Sequence, residues 1–288
     1  MQQPEKLRLL IVDGHHFAYR AFYAIRSMNA PDGFPTNAIY GFIKTFDRMI
    51  QRVKPTHIAV LWDGGLDEER TESHQEYKAE REDMPDDMEP QLDGIVEWLE
   101  ASGFFTWCAE GIEADDAIAT LCWDGENAGF SVVIASSDKD FFQLINADTR
   151  LLNPNDKTDT LWGPSQIVSK TGVSPGQIVD WLSLVGDAVD GIPGVPGVGV
   201  KTAAKLLNAH QSVDGIYDAI DSISSVKLRQ KLIDSEQCVR RNQKLIALKK
   251  IPSWSASLED LLPREPDLKI IKDQYRRWNF SSLLQKLE

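Results

Sequence analysis

Hydrophobic positions arrive in short blocks separated by polar stretches. Leu9, Leu10, Ile11 and Val12 form an unbroken apolar run that stops at Asp13-Gly14. A run this short, closed by a turn signal, predicts a strand buried on both faces, as in a parallel sheet. Ile39, Phe42, Ile43, Phe46, Met49, Ile50 and Val53 recur at helical spacing and predict a helix over residues 36–53. A second strand is predicted at 58–62, ending before Asp63-Gly64-Gly65. Others follow at 104–108 and at 131–135, the latter leading into Ser136-Ser137-Asp138. Helices are predicted at 88–102 and from residue 113, where Ala114, Ala117, Ile118, Leu121 and Cys122 share one face. Strand and helix alternate to about residue 150, which predicts an α/β fold with a mainly parallel central sheet flanked by helices.

Two stretches break this pattern. Residues 66–90 are crowded with charge and hold few large aliphatic side chains, so they read either as a disordered loop or as a mobile functional segment. After about residue 163 helical patterning dominates, interrupted by a Gly/Pro-rich stretch at 191–199. The expected organisation is an α/β core over 1–163, including the charged excursion at 64–90, and a helical region over 164–288.

Composition narrows the possibilities. The chain has 288 residues, 42% hydrophobic and 26% charged, in the ordinary globular range. No apolar run reaches the roughly 18 residues of a membrane span. No membrane association and no signal peptide are expected. Cys108, Cys122 and Cys238 are far apart and odd in number, which fits neither a zinc site nor a disulfide framework, and a cytoplasmic location is expected. The net charge of −13 argues, taken alone, against a polyanionic partner. The charge is unevenly spread, however. Residues 201–250 hold ten basic and five acidic residues, a local balance of +5 that leaves −18 for the remainder.

Much of that acidity sits where chemistry is expected. Asp13, Asp63 and Asp138 each follow a predicted strand, and the carboxyl ends of parallel strands line one crevice. Glu113, Asp115 and Asp116 fall in one helical turn, beyond what complementing the helix dipole requires. Asp140 lies two residues past Asp138, and Asp187 and Asp190 are three apart. Clustered carboxylates must bind protons or cations. An oxygen-only set suits Mg²⁺ or Mn²⁺, and nine acids are too many for one ion. Two divalent ions are therefore inferred, a pair suited to in-line phosphoryl chemistry.

The stretch from Gly194 to Leu207 supplies a phosphate-binding candidate. Gly194, Gly197 and Gly199 precede Lys201, Thr202 and Lys205, so a glycine-rich turn opens a helix with a lysine at its start. The spacing differs from a nucleotide P-loop and has the form of a helix-hairpin-helix, near 184–210, that grips a DNA backbone without reading bases. Arg70, Lys78 and Arg81 lie on the acidic excursion with Tyr77, and Tyr19-Arg20 follow the first strand.

Taken together, these motifs resemble the 5′-nuclease family, which includes the N-terminal domain of bacterial DNA polymerase I, phage 5′-exonucleases and eukaryotic flap endonucleases. The resemblance rests on Val12-Asp13-Gly14-His15-His16 with Tyr19-Arg20, Trp62-Asp63, Tyr77-Lys78 with Arg81, and Gly111-Ile112-Glu113-Ala114-Asp115-Asp116. Ser137-Asp138-Lys139-Asp140, the stretch from Gly186-Asp187 to Asp190, and the glycine-rich hairpin complete it. It runs over nearly the whole chain and is closest to the polymerase I domain, whose end the segment 278–284 resembles.

The resemblance implies one metal site from Asp13, Asp63, Glu113, Asp115 and Asp116, and a second from Asp138, Asp140, Asp187 and Asp190. Asp116 and Asp190 are the ligands most readily lost to an outer shell. It implies a helical arch over the excursion, lined by Lys78 and Arg81, with Tyr77 stacking near the scissile nucleotide and Arg20 on a phosphate. Arg70, Gly197, Gly199, Lys201, Thr202 and Lys205 are implied DNA contacts, with K⁺ at the hairpin (H2TH). The implied activity is metal-dependent 5′-3′ exonuclease or 5′-flap endonuclease chemistry by a monomer in DNA replication and repair. It would be associated with the bacterial nucleoid and work beside a separate polymerase and ligase. The acidic residues Glu68, Glu69, Glu80, Glu82, Asp83, Asp86 and Asp87 depart from what an arch that admits DNA should carry. An RNA-cleaving PIN-domain nuclease is a weaker alternative, because such domains lack the hairpin region. A non-enzymatic DNA-structure-binding module and a small-molecule phosphatase are weaker still.

Overall fold

A computed structural model describes residues 7–74, 76–79, 83–156, 158 and 160–287. Six strands form the central sheet among these residues: β1 (Arg8–Asp13), β2 (His57–Leu61), β3 (Phe105–Trp107), β4 (Ser131–Ala135), β5 (Thr149–Leu152) and β6 (Leu161–Trp162). Their spatial order is β3-β2-β1-β4-β5-β6, parallel except for the antiparallel β6 edge. The four expected strands are present with ends shifted by a residue or two; β5 and β6 were not anticipated.

The sheet's core divides by side-chain parity, as a twofold strand repeat requires. Leu9, Ile11, Ala59, Leu61, Val132 and Ile134 face one hydrophobic cluster, and Leu10, Val12, Ile58, Val60, Val133 and Ala135 face another. The second face is covered by α1 (Gly14–Ala24), α2 (Asn37–Val53) and, beyond the short α3 (Glu68–Ser73), by α4 (Glu89–Ala101). The first face receives α5 (Ala114–Asn127), the small α6 (Pro164–Thr171) and α7 (Ile178–Val185). It also receives α8 (Val200–His210), α9 (Val213–Asp218) and α10 (Val226–Ile246).

The chain then returns to the opposite face through α11 (Leu268–Arg277). Trp98 Nε1 donates to Tyr275 Oη at 3.0 Å, and Ile271, Trp278 and Phe280 bury into the cluster around α4. The helical region is therefore not confined to one side of the α/β core. A Cβ on Gly94 of α4 would stand 3.3 Å from the Trp278 ring, so glycine there admits the C-terminal anchor.

The beginnings of α1 and α5 decide where the acids lie. β1 and β4 are neighbours, and the chain leaves β1 for one face and returns to β4 from the other. That reversal opens a crevice at their carboxyl ends. Asp13 ends β1 and also caps α1, its Oδ1 accepting from the His16 N–H at 3.1 Å.

Trp278 is fully buried. Trp278→Ala should lower unfolding stability by about 3–5 kcal/mol, measured by urea denaturation; an unchanged midpoint would show that the C-terminal return contributes nothing to the core.

Candidate active site

A crevice of about 650 Å³ opens at the carboxyl end of the sheet, lined by Asp13, Asp63, Asp115 and Asp138 with His15, Tyr19 and Arg20. Acids 125 positions apart in the chain thus share one space, as the strand ends predict. Ser136 Oγ donates to Asp13 Oδ2 at 2.9 Å and accepts the Asp138 N–H at 3.1 Å. The Asp63 N–H donates to His15 Nδ1 at 3.0 Å. Ser136 and His15 were not among the candidate site residues, although the Ser-Ser-Asp run after a strand and the His15-His16 pair after Asp13-Gly14 carried a signal for each.

The electrostatics are those of a crowded acid cluster. Burial pushes the Asp13 carboxyl up to about 7 against the His16 and Ser136 hydrogen bonds, and Asp138 and Asp63 add repulsion. Asp115 is raised by burial, with Lys78 opposing and Asp138 and Asp13 reinforcing. Asp138 and Asp140 are raised chiefly by burial, and Asp187 and Asp190 repel both. The second group of acids therefore lies within electrostatic reach of the first. His16 is driven down to about 4 by burial and by Arg20, and so stays neutral.

Cations pair with Glu113, Asp116 and Asp187. Arg70 was expected at the surface as a DNA contact; instead it is buried. Its Nη1 lies 3.0 Å from Glu113 Oε2 and 2.9 Å from Asp116 Oδ2, and its Nη2 reaches Asp116 Oδ1 at 3.0 Å and the Ala247 carbonyl at 3.1 Å. Asp116 also accepts the Lys249 N–H at 2.8 Å, so both its oxygens have protein partners, in keeping with the expectation that it is among the acids most readily lost to an outer shell.

Lys78 Nζ lies 2.8 Å from Glu113 Oε2 and 3.5 Å from Asp115 Oδ2. Lys78 adopts a left-handed backbone, φ +54°, a costly conformation for a lysine. The Lys78 N–H donates to the Asp190 carbonyl at 3.0 Å and helps hold that geometry. Burial raises the Glu113 carboxyl, but Lys78 and Arg70 outweigh it and hold the group below its usual value.

Tyr77 is buried, its hydroxyl donating to Glu113 Oε2 at 3.1 Å. It does not present an exposed stacking face here, a correction that follows from the hydroxyl's need for an acceptor. The excursion base is thus docked onto the acids. Gly191, with φ +67°, completes the contact, since a Cβ there would stand 2.3 Å from the Glu76 carbonyl. Arg81 lies outside the described residues. Arg20 is exposed at the crevice, donating to Asn155 Oδ1 at 2.6 Å and to the Pro154 carbonyl at 2.9 Å. Asp187 is paired with Lys139 at 2.6 Å, a partner not foreseen.

The hairpin candidates lie away from this crevice. The turn between α7 and α8 is held by the Val195 N–H to the Leu184 carbonyl at 2.9 Å and by Trp181 Nε1 to the Val200 carbonyl at 3.2 Å. Gly197, Gly199, Lys201 and Lys205 are exposed, Thr202 half-buried, and nothing would obstruct a Cβ on Gly199.

Among the described residues, no three His, Cys, Asp or Glu side chains already close on one point as in a filled metal site. The donor chemistry nevertheless suits hard divalent cations. The carboxylates facing the crevice are oxygen donors whose repulsion is only partly offset by lysine and arginine. No described helix is long and apolar enough to cross a membrane.

Two family models match nearly the whole chain. The model described as the 5′-3′ exonuclease N-terminal resolvase-like domain matches residues 8–172, and that described as the 5′-3′ exonuclease C-terminal SAM fold matches 173–269. The 5′-3′ exonuclease of Aquifex aeolicus is 35% identical over 280 residues, covering 97% of this chain and 95% of that protein. DNA polymerase I of Bacillus subtilis is 36% identical over 289 residues, covering 98% of this chain but only 32% of the polymerase; the chain spans about a third of such polymerase relatives. Among solved structures, zinc-bound T5 5′-exonuclease superposes with a TM-score of 0.67 at 22% identity, covering 97% of this chain and 96% of that one. The Rad2 catalytic core in complex with DNA substrate gives 0.66 at 16%, covering 98% and 93%. These structural likenesses support the fold.

Two outcomes follow from the site's charges. Arg70→Ala strands Asp116 without its buried counter-ion and should cost about 3–5 kcal/mol in urea unfolding; a loss below 1 kcal/mol would mean the buried pairs contribute little. Because Asp13 titrates near 7 rather than near 3.8, the folded state holds a proton that the unfolded chain has released. Its contribution to stability is therefore full below about pH 4 and declines as pH rises to about 7. Mg²⁺ should raise the melting temperature by on the order of 5 °C at pH 8 and by much less at pH 5, as followed by circular dichroism; an equal shift at both would exclude the acid cluster as the binding site.

Proposed function

The chain belongs to the 5′-3′ exonuclease family, and on that premise we propose a structure-specific, divalent-metal-dependent nuclease that hydrolyses DNA phosphodiesters near 5′ ends and at flap junctions. The observation that carries this reading is the meeting of Asp13, Asp63, Asp115 and Asp138 in one crevice beside Arg20. T5 5′-exonuclease is known bound to zinc and the Rad2 core bound to DNA substrate, and both share this fold.

Asp13, Asp63, Asp115 and Asp138 would hold one or two Mg²⁺ or Mn²⁺ ions, with Asp140, Asp187 and Asp190 supporting the second position. Bound there, such ions acidify water and offset charge on a phosphate undergoing in-line attack. The protein's own side chains prepare that chemistry. Ser136 fixes Asp13 and the Asp138 backbone, and His15 fixes the Asp63 backbone. Lys78, now on Glu113 and Asp115, supplies the positive charge nearest the acids that can stabilise an oxyanion once a substrate phosphate competes for it. Arg20 at the crevice mouth would orient the incoming strand by a bidentate phosphate contact. Products carry a 5′-phosphate and a 3′-hydroxyl.

The exposed hairpin lysines, Lys201 and Lys205, would hold duplex through phosphates alone, with K⁺ assisting the turn. The protein would act as a monomer in the cytoplasm, at the nucleoid, beside a separate polymerase and ligase.

A labelled 5′-flap substrate should be cut with Mg²⁺ and left intact with EDTA. Asp138→Ala and Lys78→Ala should each lower the single-turnover rate by about 100-fold or more. Undiminished cleavage in EDTA would sink the metal mechanism.

A further inference from the structure

A groove of about 510 Å³ separates α10 from the end of α3 and shares no lining residue with the carboxylate crevice. It is lined by Ser73, Glu236, Gln237, Arg240, Arg241 and Lys244, three cations against one acid. Several basic side chains bordering the acids are matched: Lys139 with Asp187, Lys249 with Glu69, Lys250 with Asp124. Arg240 shares Asp214 and Glu236 and covers the Tyr217 ring. Arg241 and Lys244 differ, for among the described residues neither has a carboxylate partner. Arg241 Nη2 reaches only Cys238 Sγ and Asn242 Oδ1, each at 3.5 Å, and its buried Nε has no acceptor.

The same helix begins beside the hairpin. A Cβ on Gly197 would stand 2.7 Å from Lys231 Nζ, and Lys227 lies one turn earlier. Neither of these lysines has an acidic partner among the described residues. From Lys231 to Lys244 α10 advances about 20 Å, enough to meet several successive phosphates of one strand. Its far end is fixed to the excursion base through Arg70 and the Ala247 carbonyl.

We propose that α10 carries a phosphate track, Lys227, Lys231, Arg241 and Lys244, that holds one DNA backbone between the glycine-rich hairpin and the base of the charged excursion. The proposal rests on the nuclease reading above and adds the path of the strand to it. Unmatched cations in a chain of net charge −13 favour a polyanion over a protein surface, and their continuity with Lys201 and Lys205 selects the same DNA. Lysine and arginine on a backbone fix register without reading sequence, so the track serves substrates of any sequence.

The test is equilibrium binding of the full chain, without divalent ions, to a fluorescent 5′-flap, a blunt duplex and a single strand over a range of salt. Lys244→Gln, Arg241→Gln and the double variant are compared with the wild type and with Lys269→Gln, an exposed lysine outside the track. The double variant should bind the flap about tenfold more weakly, with a salt slope shallower by about one to two, and Lys269→Gln should match the wild type. Loss shared with the blunt duplex assigns the track to paired DNA; loss confined to the flap and single strand assigns it to the unpaired arm; each supports the track. Lys244→Gln alone, at an exposed side chain, decides the matter if Arg241→Gln unfolds. Wild-type protein that binds and cleaves while the variants match it in affinity and slope overturns the track alone. Wild-type protein that binds none of the probes overturns the track and the nuclease reading together.

Discussion

Carboxylates gathered at the end of a parallel sheet repel one another, and this molecule contains that repulsion with two cations from a distant loop. Arg70 and Lys78 sit on an excursion whose sequence looks solvated, yet both are buried against Glu113 and its neighbours. The sheet order brings the acids together; the excursion base makes the assembly tolerable without added ions. Burial nevertheless leaves Asp13, Asp115, Asp138 and Asp140 above their usual range, so the offset is incomplete and the remainder is what divalent cations can supply.

The same pairing orders the excursion. Its described residues contribute little apolar burial beyond Tyr77 and Met88, so their position depends on ion pairs, the Asp190 carbonyl and the close approach at Gly191. A substrate phosphate or a divalent ion that competes for Lys78 or Glu113 acts on the loop's anchor as well as on the chemistry. The same charges thus serve both the acid cluster and the anchoring of this loop.

Parts of this arrangement were legible in the sequence because they follow from local pattern plus topology. A short apolar run followed within a few residues by aspartate places that acid at a strand's carboxyl edge, as Asp13, Asp63 and Asp138 all show. The hairpin was legible from its glycines. Arg70 and Tyr77 were misread because their burial depends on partners 43 and 36 residues away, which no local pattern reports. The return of α11 to the opposite face of the sheet was hidden for the same reason. Two-residue β6 is too short to show alternation, and α1 buries only Phe17, Ala18 and Ala21 besides Gly14, among histidines, tyrosines and an arginine.

Two of the contacts joining the acid-bearing half of the chain to the segment after α10 end on main-chain atoms. Arg70 takes the Ala247 carbonyl, and Asp116 takes the Lys249 amide. Peptide groups are present whatever side chain they carry, so a substitution at 247 or 249 leaves these two hydrogen bonds available. Proline at 249 is the exception, because it alone removes the amide. These two contacts therefore depend on the side chains of Arg70 and Asp116 but only on the backbone at 247 and 249.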